Sequence, residues 1–168
     1  MKLVCSWILV FTLLYGCLAK ENTQESSNTE DEKLDIKPRA YYPPSECRRY
    51  TVFNSFDRAI GNTAQNSLKC DQRDLPGNLW YRFLGAAGNA MPTSCVPVRR
   101  CGTHAPGWMV GSHPSLRYSL VTRKVCYHWS GSCCRWSNNI KVRNCGGFYV
   151  YQLPKTPACM LRYCGLGY

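Results

Sequence analysis

Apolar positions in this chain form one long run near the start and then a series of short, alternating stretches. From Leu3 to Tyr15 nearly every residue is apolar, and the run follows the positive Lys2. Cys17-Leu18-Ala19 then puts small residues where a signal peptidase reads them, so residues 1–19 read as a signal peptide. The run is short for a bilayer span, which takes ~20 apolar residues, and no second one follows; the sequence predicts no transmembrane anchor. Further on, Leu79–Leu84, Leu120–Trp129, Ile140–Arg143 and Phe148–Tyr151 are short runs bounded by Gly, Pro, Asn or Ser, the signature of strands. Between Asn54 and Leu68 the apolar Phe56, Ile60 and Ala64 fall four apart, which predicts one short helix.

Residues 20–46 lack apolar periodicity and are rich in Asn, Ser, Thr, Glu and Lys. Such a composition cannot bury enough surface to offset ordering entropy, so this stretch is expected to be a disordered acidic linker or pro-segment. Residues 47–168 remain as one domain, long enough for a core of its own. The fold class expected is a small disulfide-rich, β-rich α+β domain with irregular loops. Trp80, Trp108, Trp129 and Trp136 sit beside glycines or cysteines and are expected to pack on disulfides and form the core.

Cysteine usage fixes the compartment. Of 12 cysteines, Cys5 and Cys17 fall in the signal peptide. Cys47, Cys70, Cys95, Cys101, Cys126, Cys133, Cys134, Cys145, Cys159 and Cys164 remain, and an even set on a secretory route predicts five disulfides. Zinc sites favour cysteines two to four residues apart, which is not the prevailing spacing, so no metal and no cofactor is expected. Ten cysteines allow hundreds of pairings. One local rule applies: neighbours ~3.8 Å apart across a peptide do not suit a bridge, so Cys133 and Cys134 should take different partners.

Charge is unevenly spread. Residues 20–46 carry seven acids against four bases, whereas residues 47–168 carry three Asp against sixteen Lys and Arg, a net of +13. A field of that sign favours anionic glycans, acidic extracellular proteins or matrix and mineral polyanions. Nucleic acid suits the charge equally, but the secretory start argues against it as a partner. Lys and Arg are rarely buried unpaired, so with few acids available most of these cations should face solvent or a ligand. Arg99, Arg100, Arg123 and Lys124 are the candidate polyanion-binding residues.

The order of residues then becomes recognisable. Trp80-Tyr81-Arg82-Phe83, Cys95-Val96-Pro97, Cys101-Gly102-Thr103-His104-Ala105-Pro106-Gly107-Trp108, Cys133-Cys134, Tyr149-Val150-Tyr151 and Arg162-Tyr163-Cys164 together resemble the ten-cysteine domain of the uromodulin type. The resemblance spans Cys47 to Cys164. It implies the pairs Cys47–Cys145, Cys70–Cys159, Cys95–Cys133, Cys101–Cys164 and Cys126–Cys134. Members acting as bacterial decoys carry an N-linked glycan just after the Tyr-Val-Tyr strand, where this chain has Gln152 and Pro154. No Asn in the chain has Ser or Thr two residues on, so no standard N-glycan is expected.

Catalysis finds little to work with. Hydrolysis wants paired carboxylates, or a nucleophile with a base and an orienting group. The domain offers Asp57, Asp71 and Asp74, all early, and His104, His113 and His128, whose expected roles are local. The chain is therefore expected to be a secreted, non-catalytic interaction module and not an enzyme. The alternative expectation is a basic host-defence or toxin-like effector, held by its acidic pro-segment until cleavage near Arg39.

Overall fold

The longest alternating run forms the longest hairpin. In a computed structural model that describes residues 42–63, 66 and 68–168, β4 (Leu120–Trp129) runs antiparallel to β5 (Ser132–Asn144). Ser130 and Gly131 join them with φ of 50° and 76°, the positive values a two-residue hairpin turn requires. The signal peptide, most of the acidic segment and the Arg39 cleavage site lie outside the described residues.

Five further strands complete one sheet: β1 (Thr51–Phe53), β2 (Leu79–Phe83), β3 (Ala105–Met109), β6 (Tyr149–Leu153) and β7 (Leu161–Tyr163). Their order is β1-β2-β6-β5-β4-β3-β7, antiparallel except for the parallel pairs at either end, β1 with β2 and β3 with β7. The two ends of that order meet. Just beyond β1, Ala59 bridges to Gly165 just beyond β7, and the amides of Ile60 and Gly165 donate to Gly165 O and Arg58 O, each at 2.9 Å. Gly165 has to be glycine, because a Cβ there would lie 2.0 Å from Ala87 O.

Tyrosine fills much of the interior, contrary to the expectation for tryptophan. Tyr81, Tyr127, Tyr151 and Tyr163 are fully buried with Phe83, Met91, Met109, Val125 and Val142. The buried phenols of Tyr127 and Tyr163 find partners, whereas that of Tyr81 has none among the described residues. Tyr127 Oη donates to Asn138 Oδ1 (2.8 Å), Asn138 Nδ2 donates to Tyr163 Oη (2.9 Å), and Tyr163 Oη donates to Pro154 O (2.9 Å). The four tryptophans are only half-buried, at the margins. Trp129 and Trp136 pack against the main core, and Trp80 packs against a second cluster on the outer face around Val150 and Cys47–Cys145.

The expected helix over Asn54–Leu68 shrinks to a 3-10 turn at Phe56–Arg58, and Ala64 lies outside the described residues. Tertiary demands override the periodicity. Arg58 turns inward, Ala59 is extended (φ −72°, ψ 141°) to meet Gly165, and Phe56 is left exposed. The one α-helical turn among the described residues, α1 (Asp71–Asp74), was not expected. Its Asp74 carboxylate accepts from the Cys70 amide at 3.0 Å, capping the turn.

That turn positions an ionic cluster where the sheet ends meet. Arg58 donates to both oxygens of the fully buried Asp71 at 2.8 Å and to Tyr163 O at 3.0 Å. Asp71 also accepts from the Tyr163 amide at 2.9 Å. Arg162, 5% exposed, donates to Asp57 Oδ2 at 3.0 Å and to Cys101 O at 3.1 Å.

Five disulfides staple the sheet: Cys47–Cys145, Cys70–Cys159, Cys95–Cys133, Cys101–Cys164 and Cys126–Cys134. The adjacent cysteines part ways at a bulge. Tyr127 faces Trp136 and Trp129 faces Ser132, so three residues of β5 (Cys133, Cys134 and Arg135) oppose His128 alone.

A candidate basic interaction surface

Carboxylates decide which cations remain available. Each of the four described side-chain carboxylates is held by an arginine: Glu46 by Arg143 (2.5 Å), Asp57 by Arg162 (3.0 Å), Asp71 by Arg58 (2.8 Å) and Asp74 by Arg73 (2.9 Å). Burial pushes the Glu46 and Asp57 carboxyls up, but the arginine charges and hydrogen bonds outweigh it and hold both below the ordinary range. Arg48, Arg49, Lys124, Arg135, Lys141 and Lys155 are all exposed.

Arg99 and Arg100 stand on the loop from Cys95 to His104. The ties that hold it include the Cys95–Cys133 bridge, the Cys101–Cys164 bridge, the Arg162 bond to Cys101 O, and His128 Nδ1 at 2.7 Å from Val96 O. Within it the Arg99 amide donates to His104 O at 2.9 Å. A shallow cleft lies on either side. Arg99 borders one of about 410 Å³ with Val98, His128, Trp129, Ser130 and Gly131. Arg100 borders one of about 300 Å³ whose lining includes Ile60, Pro97 and Tyr168. His104 stacks on Trp129 with ring centroids 5.5 Å apart. The first cleft thus joins a guanidinium, an imidazole and an indole, groups that suit an anion carried on a ring.

The four sequence-derived candidates do not form one patch. Trp129, beside Arg99, is six residues along β4 from Arg123, ~20 Å at the rise of a strand. Arg123 and Lys124 are consecutive in that strand and point to opposite faces. Arg123 Nε donates to Ser112 O at 2.9 Å and ties down the loop beside β4. Lys124 is exposed opposite Asn139.

A family model described as a uromodulin-like domain matches residues 81–165. This chain belongs to the uromodulin-like domain family. It is 40% identical over 163 residues to the pancreatic secretory granule membrane major glycoprotein GP2 of Canis lupus familiaris, covering 96% of this chain and 30% of that protein. Against uromodulin of Rattus norvegicus it is 48% identical over 119 residues, 70% of this chain and 18% of the relative. Against uromodulin of Mus musculus it is 55% identical over 86 residues, 51% of this chain and 13% of the relative. The chain thus spans less than a third of the length of these curated relatives.

The five bridges of this uromodulin-like domain coincide with the pairs the resemblance implies. Cys95, His128 and Cys133 bring possible ligand atoms within 4.8 Å of one another, but the two sulfurs are bonded to each other. Among the described residues no helix is long and apolar enough to cross a membrane.

His113 is a structural histidine with a measurable signature. The Met91 amide donates to Tyr151 Oη at 3.1 Å, which leaves the phenol proton for His113 Nε2 at 2.8 Å. Burial, with the charge of Arg123, lowers the imidazole to about 4. Its folded value lies below the ordinary ~6.5, so the folded state prefers the neutral ring. The stability this gives is complete above pH ~6.5 and declines as pH falls through the window down to about 4. Glu46, Asp57 and Asp74 are held below ordinary carboxylate values and lose their contributions at the acid end of that window and beyond. Urea midpoints should therefore fall between pH ~6.5 and ~5, and His113→Gln should flatten that slope. An equally steep slope in the variant would assign the protonation elsewhere.

Proposed function

We propose that this chain is a secreted, non-catalytic extracellular interaction module that binds anionic glycans, acidic extracellular proteins or matrix polyanions through its basic surface. The observation that carries this reading is the pairing of all four described side-chain carboxylates with arginines, beside exposed cations that include Arg48, Arg49, Lys124, Arg135, Lys141 and Lys155. The same pairing supports a non-catalytic role, because each of these carboxylates already neutralises a guanidinium. The cysteines of the domain are bridged and none is a nucleophile. Five disulfides, and a relative named for the secretory granule membrane, support the extracellular route. Within that reading, Arg99 and Arg100 are the proposed anion contacts at the loop clefts, with Lys124 on the outer sheet face and Arg123 a positioning residue.

Retention on immobilised heparin tests it. Binding should weaken steeply from low to physiological salt, since exposed charges are screened over ~10 Å at 0.1 M. Arg99→Ala with Arg100→Ala should elute markedly earlier with an unchanged melting temperature, whereas Arg123→Ala should mainly lower the melting temperature. Salt-insensitive retention, or elution indifferent to Arg99 and Arg100, would count against the assignment.

A further inference from the structure

Strand register places a row of chemically matched side chains on the outer face of the sheet. Trp80 pairs with Gln152, Gln152 with Lys141, and Lys141 with Thr122. Directly paired residues share a face, so these four stand in line across β2, β6, β5 and β4. Their chain neighbours Tyr81, Tyr151, Val142 and Val121 pack in or against the main core, which puts the row on the opposite, outer side. Lys124, two residues beyond Thr122, joins the same face opposite Asn139. From Trp80 to Thr122 is three strand spacings, ~14 Å.

Half of this outer face is already covered. Val150 lies under Cys47–Cys145, Tyr50, Phe148 and one flank of Trp80. Arg143, two residues beyond Lys141, holds Glu46 there and so neutralises the carboxylate at that edge. The other half is bare: Thr122, Lys124, Asn139 and Lys141 are exposed, and Trp80 and Gln152 are half-exposed. Gln152 Nε2 donates to Asn78 O at 3.1 Å, which fixes the amide and leaves its carbonyl oxygen to accept.

From this row we infer that the bare face is a docking site for an acidic polysaccharide chain, a deeper statement of the proposed function that rests on it. Each component has a role on such a ligand. The exposed part of the Trp80 indole offers an apolar plane to the C–H face of a sugar ring. Gln152, Asn139 and Thr122 exchange hydrogen bonds with hydroxyls, and Lys141 and Lys124 meet sulfate or carboxylate groups. The two lysines lie diagonally across adjacent strands, ~7–8 Å apart at the backbone. An acidic peptide would gain less, because this half of the face offers a flat polar sheet interior and neither a free strand edge nor an apolar pocket.

Calorimetry with a heparin octasaccharide, against a poly-glutamate peptide of matched charge, tests the assignment on the full secreted chain. Lys124→Ala with Lys141→Ala should weaken octasaccharide binding about tenfold, as the loss of two exposed ionic contacts implies. Gln152→Ala should weaken the octasaccharide about three- to tenfold and leave poly-glutamate unchanged. All three positions have side chains at the surface, so unchanged melting temperatures accompany the expected result. If Arg99→Ala with Arg100→Ala abolishes binding and the sheet-face variants do not, polyanion binding stands and the sheet assignment falls. Equal affinity for poly-glutamate with no effect of Gln152→Ala overturns the saccharide in favour of a generic cation surface. No octasaccharide binding by the parent chain at low salt overturns both readings together.

Discussion

Asp71→Ala should cost the domain about 3–5 kcal/mol, the penalty for stranding buried charge by removing one partner of an ion pair. Asp71 is fully buried, and it receives two hydrogen bonds from Arg58 and one from the Tyr163 amide. Arg162, also buried, lies 3.8 Å from it. Removing the Asp71 carboxylate leaves Arg58 with the Tyr163 carbonyl and the face of Phe53, 3.8 Å from the ring centroid, and no described carboxylate bonded to it. The Tyr163 amide on β7 loses its acceptor as well. Urea unfolding with disulfides intact reads the loss, which at about 3–5 °C per kcal/mol lowers the melting temperature by roughly 10–20 °C. Arg73→Ala is the control, since its pair with Asp74 is exposed and is worth at most ~1 kcal/mol. Replacing both partners, Arg58→Met with Asp71→Leu, should cost less than Asp71→Ala, because no charge is then stranded. A loss below ~1 kcal/mol for Asp71→Ala would mean that backbone pairing alone joins the sheet ends.

Much of the sheet was legible where alternation is clean. The run Leu120–Trp129 is β4, and Leu79–Leu84 holds β2 with one residue to spare. Ile140–Arg143 captured only the end of β5, because the bulge at Cys133, Cys134 and Arg135 breaks the two-residue period that a sequence reading depends on. β3 escaped for another reason: it contains Pro106 and Gly107, both poor strand residues. Gly107 is there because a Cβ would meet the Tyr127 ring at 2.7 Å and Arg162 O at 2.9 Å, a packing constraint with no local trace. β1 and β7 have three residues each and are defined by their partners. The ionic cluster was hidden by a sound general rule, that arginines face water. Arg58 and Arg162 break it, and their acids are two of the three Asp in the domain, so the scarcity of carboxylates was the clue available. The outer-face row needed register, which joins residues 80, 152, 141 and 122 across four strands.

Removing the Cys47–Cys145 bridge as a double alanine variant should destabilise the domain by about 4 kcal/mol. The bridge closes a sequence separation of 98 residues, for which chain entropy alone gives ~4.7 kcal/mol. Cys70–Cys159 already constrains the same unfolded chain. The loop that remains to be closed runs from Cys47 to Cys70 and from Cys159 back to Cys145, roughly 40 residues, which lowers the figure to about 4 kcal/mol. The native-state effect is local. The bridge pins the Ser45–Cys47 turn to the outer face, beside Val150, Tyr50 and Phe148, and keeps Glu46 within reach of Arg143. None of those residues shares a hydrogen bond or ion pair with the partners of Asp71, which are Arg58, Tyr163 and Arg162. Losses from Asp71→Ala and from the bridge should therefore add to within ~0.5 kcal/mol, as they do for independent sites. Additivity would mean that the outer cluster and the ionic seam stabilise the sheet separately. A combined loss well short of the sum would mean that opening the seam already frees the Cys47 segment, and that the two faces of the domain unfold as one unit.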